Sequence, residues 1–219
     1  MAAKVGRRRK RKNTARKVLR SKMLLILALL LIVLIFLPLA LKGFQSLKRK
    51  SEIEEPELDV ELLSISLYNR PGIALEKVNG IVIHYTANPG ASAISNRNYF
   101  EGLSDGKGTK ASAHFIVGLE GEIVQCIPTA EIAYASNNRN YDTLAIECCH
   151  PDESGKFNDA TYQSVVNLTA WLCQKFNLTS EDVIRHYDVT GKNCPKYYVE
   201  NEEAWMQFKK DIQKKLDGT

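Results

Sequence analysis

From Met23 to Leu41 the chain runs nineteen residues without a charge, most of them Leu or Ile. Such a segment is long enough, as an α-helix, to cross a hydrocarbon core of roughly 30 Å with every backbone group satisfied internally. It divides the chain before any other feature is weighed. Pro38 falls near its outer end, where a helix can stop or kink at little cost. Eleven Lys and Arg and no acidic residue precede the span, whereas Lys42, Lys48, Arg49 and Lys50 are the basic residues that follow it closely. That imbalance predicts a cytoplasmic N-terminus and a C-terminal part outside the membrane. A cleaved signal peptide is the alternative, but its apolar region is usually about 7–15 residues, and Leu39-Ala40-Leu41-Lys42 is a poor cleavage site. The expected organisation is a basic tail over residues 1–22, a transmembrane helix over 23–41, a linker over 42–67 and one domain over 68–219.

Charge separates the same parts. Fifteen of the thirty basic residues lie within residues 1–50 and all twenty-five acidic residues come later, so the formal net charge of +5 hides a remainder near −10. A nucleic-acid partner would demand a basic face on the globular part, and none is expected. The Arg7–Lys12 run is better explained by the positive-inside rule and by attraction to anionic lipid. The acidic stretch around Glu54-Glu55-Pro56-Glu57 reads as linker.

The domain alternates strand and helix patterns. Val78–Tyr85 and Thr143–Cys149 are apolar runs with the length and β-branching of buried strands, and Ala113–Leu119 with Glu122–Ile127 predicts a hairpin turned at Glu120-Gly121. Ala93–Leu103 reads as a helix. Asp159–Phe176 and Glu202–Leu216 carry apolar residues near helical period, with Asn158 or Asp159 as the first helix's N-cap. The class is α/β, a mixed central β-sheet flanked by helices. Cys126, Cys148, Cys149 and Cys173 allow one or two disulfides outside the membrane, with buried free thiols as the default. Cys148 and Cys149, adjacent in a strand, should face opposite ways.

Three residues stand out chemically. His84 ends the first apolar strand, while His186 and Cys194 lie in a short strand followed by a loop, Ile184 to Pro195. Two neutral imidazoles and one thiolate would suit a catalytic zinc, which keeps its fourth position for water. Spacing alone matches no compact metal signature, and a lone pair of histidines is more often structural than metal-binding. Glu147 ends the Leu144-Ala145-Ile146 strand, where a carboxylate is costly to bury unless it is paired or functional.

In order, His84-Tyr85-Thr86, Ser112-Ala113-His114-Phe115, Leu144-Ala145-Ile146-Glu147 and His186 through Cys194-Pro195 resemble the type 2 N-acetylmuramoyl-L-alanine amidases, the family that includes phage T7 lysozyme-like amidases and peptidoglycan recognition proteins. The resemblance covers residues 75–216. It implies Zn2+ held by His84, His186 and Cys194, Glu147 as general base, and Lys192 as a cation beside the scissile carbonyl. It also implies peptidoglycan as partner and hydrolysis of the amide between N-acetylmuramic acid and L-alanine. Ala113 departs from the tyrosine of phage-type relatives, so a tyrosine-assisted mechanism does not carry over and more falls to Glu147. His114 matches a family histidine that is not a ligand and is expected beside the cleft, in a structural or a catalytic role. A non-catalytic peptidoglycan-binding module of the same fold is the competing reading. Such modules typically lack the cysteine ligand, and Cys194 is present.

Overall fold

The computed structural model describes residues 52–106 and 108–218, together with Met23, Leu30–Leu34, Phe36 and Leu37 in helical conformation. The expected tail over 1–22 and most of the expected span over 23–41 lie outside the described residues. Among the described residues no helix is long and apolar enough to cross a membrane. Residues from Ser51 onward form one compact unit, distinct from residues 1–50.

A six-stranded mixed sheet organises this unit. In chain order its strands are β1 (Asp59–Val60), β2 (Gly80–Tyr85), β3 (Phe115–Val117), β4 (Ile123–Gln125), β5 (Thr143–Cys148) and β6 (Val183–Arg185). Across the sheet they run β1-β4-β3-β5-β2-β6. Only the β3–β4 hairpin is antiparallel; the other neighbours are parallel. Gly121 turns the hairpin at φ +86°, and a Cβ there would come within 2.8 Å of Ser164 Oγ and 3.2 Å of the Ala160 carbonyl oxygen. The turn therefore needs glycine for its conformation and for the close approach of the neighbouring helix.

The helices are α1 (Ala93–Gly102), α2 (Asp159–Phe176), α3 (His186–Thr190), α4 (Lys196–Glu200) and α5 (Glu202–Asp217). Asn158 caps α2, its side chain accepting a hydrogen bond from the Thr161 N–H at 2.9 Å. One sheet face presents Ile81, Ile83, Phe115, Val117, Leu144 and Ile146 to Val165, Leu168 and Leu172 of α2 and to Phe208 and Ile212 of α5. The opposite face, with Ile116, Val124 and Ala145, packs on Ala93 and Phe100 of α1 and on Leu63. Strand alternation assigns each residue to its layer, which is why β2 and β5 are apolar almost throughout.

Two expectations are corrected. The described part of the expected linker, residues 52–67, belongs to the domain: Ile53 and Leu58 pack on the core, Leu63 is 1% exposed, and β1 pairs with β4. The Glu61 and Leu63 N–H groups donate to the carbonyls of Gln125 and Cys126 beyond the two-residue ladder. Its acidic residues face solvent while Ile53, Leu58 and Leu63 turn inward, a few anchors that average composition conceals. The expected loop after β6 is also wrong, because the chain turns at once into α3. Asp188 folds back to accept the Arg185 N–H at 2.8 Å, and Gly191 ends the helix at φ +77°. All five cysteines are free, with Cys148 and Cys149 buried on opposite faces.

Candidate metal centre and active site

The parallel register of β2 and β5 pairs His84 with Glu147 at the carboxyl ends of the two strands. Both side chains leave the face opposite α2, because Ile83 and Ile146, one residue earlier, face the helices. β6 pairs with β2 on its other side and delivers His186 at the first position of α3. Open α/β sheets place ligand sites at strand carboxyl ends in this way. Cys194 returns to the same place because the Tyr187 N–H donates to its carbonyl at 2.9 Å, while its own N–H donates to the Lys192 carbonyl at 2.7 Å.

His84, His186 and Cys194 are buried, with one potential ligand atom from each lying within 4.8 Å of the others. Cys194 Sγ is 3.8 Å from His84 Nδ1, and Glu147 Oε1 is 4.0 Å from the same nitrogen. The two imidazole centroids are 4.7 Å apart. His84 Nε2 faces Ser136 Oγ at 3.2 Å and His186 Nε2 faces Asn137 Oδ1 at 3.1 Å. His186 Nδ1 and Glu147 Oε2 are buried without any hydrogen-bond partner. Buried polar atoms are rarely left so. These residues open onto a cleft of about 380 Å³ whose lining also includes Tyr85, Lys110, Tyr134 and Lys192.

Burial dominates the electrostatics of these groups. Burial, then His186 and Lys192, drive the proton affinity of His84 well down; burial and Lys192 lower that of His186. Burial, reinforced by Glu147, pushes the Cys194 thiol up to about 12, and burial pushes the Glu147 carboxyl up to about 8 against the opposing field of Lys192. The imidazoles are therefore neutral, as metal ligands must be, and a cation beside the thiol and carboxyl would favour their ionised forms. The donor set and the orphaned His186 Nδ1 fit a divalent, nitrogen- and sulfur-binding ion such as zinc. An ion there would take Nδ1 of each histidine and the Cys194 sulfur, with Glu147 beside it.

His114 stands apart from these residues. Wholly buried, it accepts the Ala145 N–H on Nδ1 at 2.9 Å, which leaves Nε2–H to donate to the Glu131 carbonyl at 2.8 Å. Burial lowers its pKa to about 4, so it is a neutral crosslink between β5 and the segment after β4. Sequence reasoning missed Arg185. Its guanidinium reaches the Tyr198 carbonyl at 2.9 Å, Glu202 at 2.7 Å and Asp188 at 2.9 Å, tying β6, α3, α4 and α5 together behind the site. Ser136 and Asn137 were missed too, since a polar string such as Ser136-Asn137-Asn138-Arg139-Asn140 looks like any surface turn.

Comparison with known proteins gives a family and structural relatives. The family profile described as N-acetylmuramoyl-L-alanine amidase matches residues 74–197. N-acetylmuramoyl-L-alanine amidase CwlL of Bacillus licheniformis is 36% identical over 163 residues, covering 68% of this chain and 45% of the relative. N-acetylmuramoyl-L-alanine amidase BlyA of Bacillus subtilis (strain 168) is 33% identical over 177 residues, 71% of this chain and 47% of that one. The chain thus spans under half the length of these relatives. Among solved structures, the catalytic domain of XlyA superimposes with a TM-score of 0.61 at 25% identity, covering 72% of this chain and 99% of that one. The PlyG catalytic domain gives 0.62 at 25% identity, with 74% and 95% covered. With the family profile matching more than half of the sequence and relatives above 30% identity over two thirds of it, the chain belongs to the N-acetylmuramoyl-L-alanine amidase family.

Proposed function

We propose that this protein is a zinc-dependent peptidoglycan hydrolase that cleaves the amide joining N-acetylmuramic acid to L-alanine of the stem peptide. One observation carries the reading: three convergent nitrogen and sulfur donors lie beside a buried carboxyl with an orphaned oxygen, at the floor of an open cleft. Zinc held by His84, His186 and Cys194 would supply Lewis acidity and lower the pKa of a water in the fourth position toward about 7. Glu147 is the general base, taking a proton from the attacking water and returning it to the departing amine of L-alanine. Lys192 lines the same cleft, and its ammonium would stabilise the charge that the amide oxygen gains. The neutral imidazoles of His84 and His186 stay as donors throughout.

The same proposal includes a single transmembrane helix over residues 23–41, with the N-terminus cytoplasmic and the domain outside the cell membrane. The uncharged run and the basic excess before it support this topology. A catalytic domain tethered there would meet the inner face of the wall at high effective concentration.

The test uses the full chain in detergent micelles on purified peptidoglycan, with released peptides read by mass spectrometry. Chelator-sensitive release of free stem peptides, abolished by Glu147→Ala, is the expected result. Intact wall with one equivalent of zinc bound would instead identify a recognition module. Protease protection of the tail in sealed vesicles tests the topology separately.

A further inference from the structure

We infer that Ser136 and Asn137 are positioning residues for the metal centre: this one turn holds both histidine rings and, through Asn137, fixes which nitrogen His186 offers. The inference rests on the zinc reading above and concerns residues to which no role has been given. Both ligand rings are gripped from behind by adjacent residues, His84 through Ser136 Oγ at 3.2 Å and His186 through Asn137 Oδ1 at 3.1 Å. An amide oxygen can only accept, so His186 must carry its proton on Nε2. Nδ1, the buried nitrogen with no other partner, is then left with its lone pair toward the centre. A ring proton on the wrong nitrogen would block that donor.

The turn is built to hold this pose. Asn140 Oδ1 accepts the N–H groups of Ala135 at 3.0 Å and Ser136 at 2.6 Å, and the Arg139 carbonyl accepts the Thr143 hydroxyl at 2.6 Å, which pins the turn to the start of β5. Asn137 sits at φ +54°, in the left-handed region that asparagine tolerates better than most residues. That conformation places its side chain on His186 while the preceding serine faces His84.

The two grips differ in environment, and this ranks the outcomes. Ser136 is 1% exposed, so no solvent replaces its hydroxyl in Ser136→Ala, whereas Asn137 is exposed at the cleft rim and water can partly stand in for it. Partners of this kind typically contribute about 10–100-fold to metal affinity. We therefore expect Ser136→Ala to weaken zinc about 100-fold and Asn137→Gly about 10-fold. Asn137→Asp keeps an acceptor and should stay within about threefold of the parent. Glycine adopts φ +54° without steric cost, so Asn137→Gly keeps the turn even if Ser136→Ala fails to fold.

The experiment is zinc competition against a chromophoric chelator with the full chain in micelles, paired with side-chain 15N NMR of its four histidines. The ranking above, with an Nε2–H tautomer at His186 in the metal-free protein, is the expected result. Unchanged affinity in Asn137→Gly, or zinc on Nε2 of His186, would overturn the inference while leaving the metal site intact. A parent protein that binds no zinc would overturn the metal site and this inference together.

Discussion

Replacing Glu147 by glutamine should abolish activity and at the same time stabilise the metal-free domain. The carboxyl is pushed from 4.5 up to about 8 by burial, with Lys192 opposing. Its proton is thus held more tightly in the folded than in the unfolded chain, so the contribution to stability is full below about pH 4.5 and is lost as pH rises toward about 8. Integrated to pH 7, that difference costs about 3 kcal/mol. Glutamine mimics the protonated group and escapes the cost. Denaturant unfolding of the chelator-treated full chain should show the variant and the parent within about 1 kcal/mol of each other near pH 5 and separated by about 2–3 kcal/mol near pH 7. The matching rise in midpoint temperature is about 5–10 °C. Saturating zinc should narrow the gap, because a cation beside the carboxylate offsets its desolvation. A gap that does not change with pH would refute the account of Glu147 as a strained buried base.

Other expectations follow from single contacts. Lys192→Met removes the cation that favours ionised Glu147, so the acidic limb of the kcat/KM profile should move to higher pH and kcat should fall; an unmoved limb would separate Lys192 from the base. His114→Ala strands the buried Ala145 N–H and Glu131 carbonyl and should cost about 2–4 kcal/mol in urea unfolding, with zinc affinity of the folded protein unchanged. Phe208→Ala empties a fully buried position beside Trp205 and Tyr162 and should cost about 3–5 kcal/mol, read as an earlier denaturation midpoint with the same zinc stoichiometry.

The parts of this fold that could be read in advance are those long enough to show a period. The β2 and β5 runs, α2 with its Asn158 cap and α5 with Trp205, Phe208, Ile212 and Leu216 on one face all declare themselves. β1 has two residues and α3 has five, too few for any pattern to emerge over neighbouring polar positions. The site divides in the same way. His84 and Glu147 were visible as polar endings on apolar strands, and the motif order drew in His186, Cys194 and Lys192. Their convergence needed the β2–β5 register, which depends on long-range packing. Arg185 was hidden because an arginine before a histidine looks exposed until the groups it satisfies have been folded around it.

The arm formed by residues 52–67 has a consequence for how this protein can be cut and handled. β4 would otherwise present an open row of backbone donors and acceptors at the sheet's margin, the kind of template that recruits strands from other molecules. Asp59 and Val60 occupy that row, Leu63 anchors the covering segment, and exposed acidic side chains along it repel a second copy. A fragment started at Tyr68 would keep every residue of the cleft and still lose this guard. Its failure would appear as self-association, with a chemically intact centre trapped inside the aggregate.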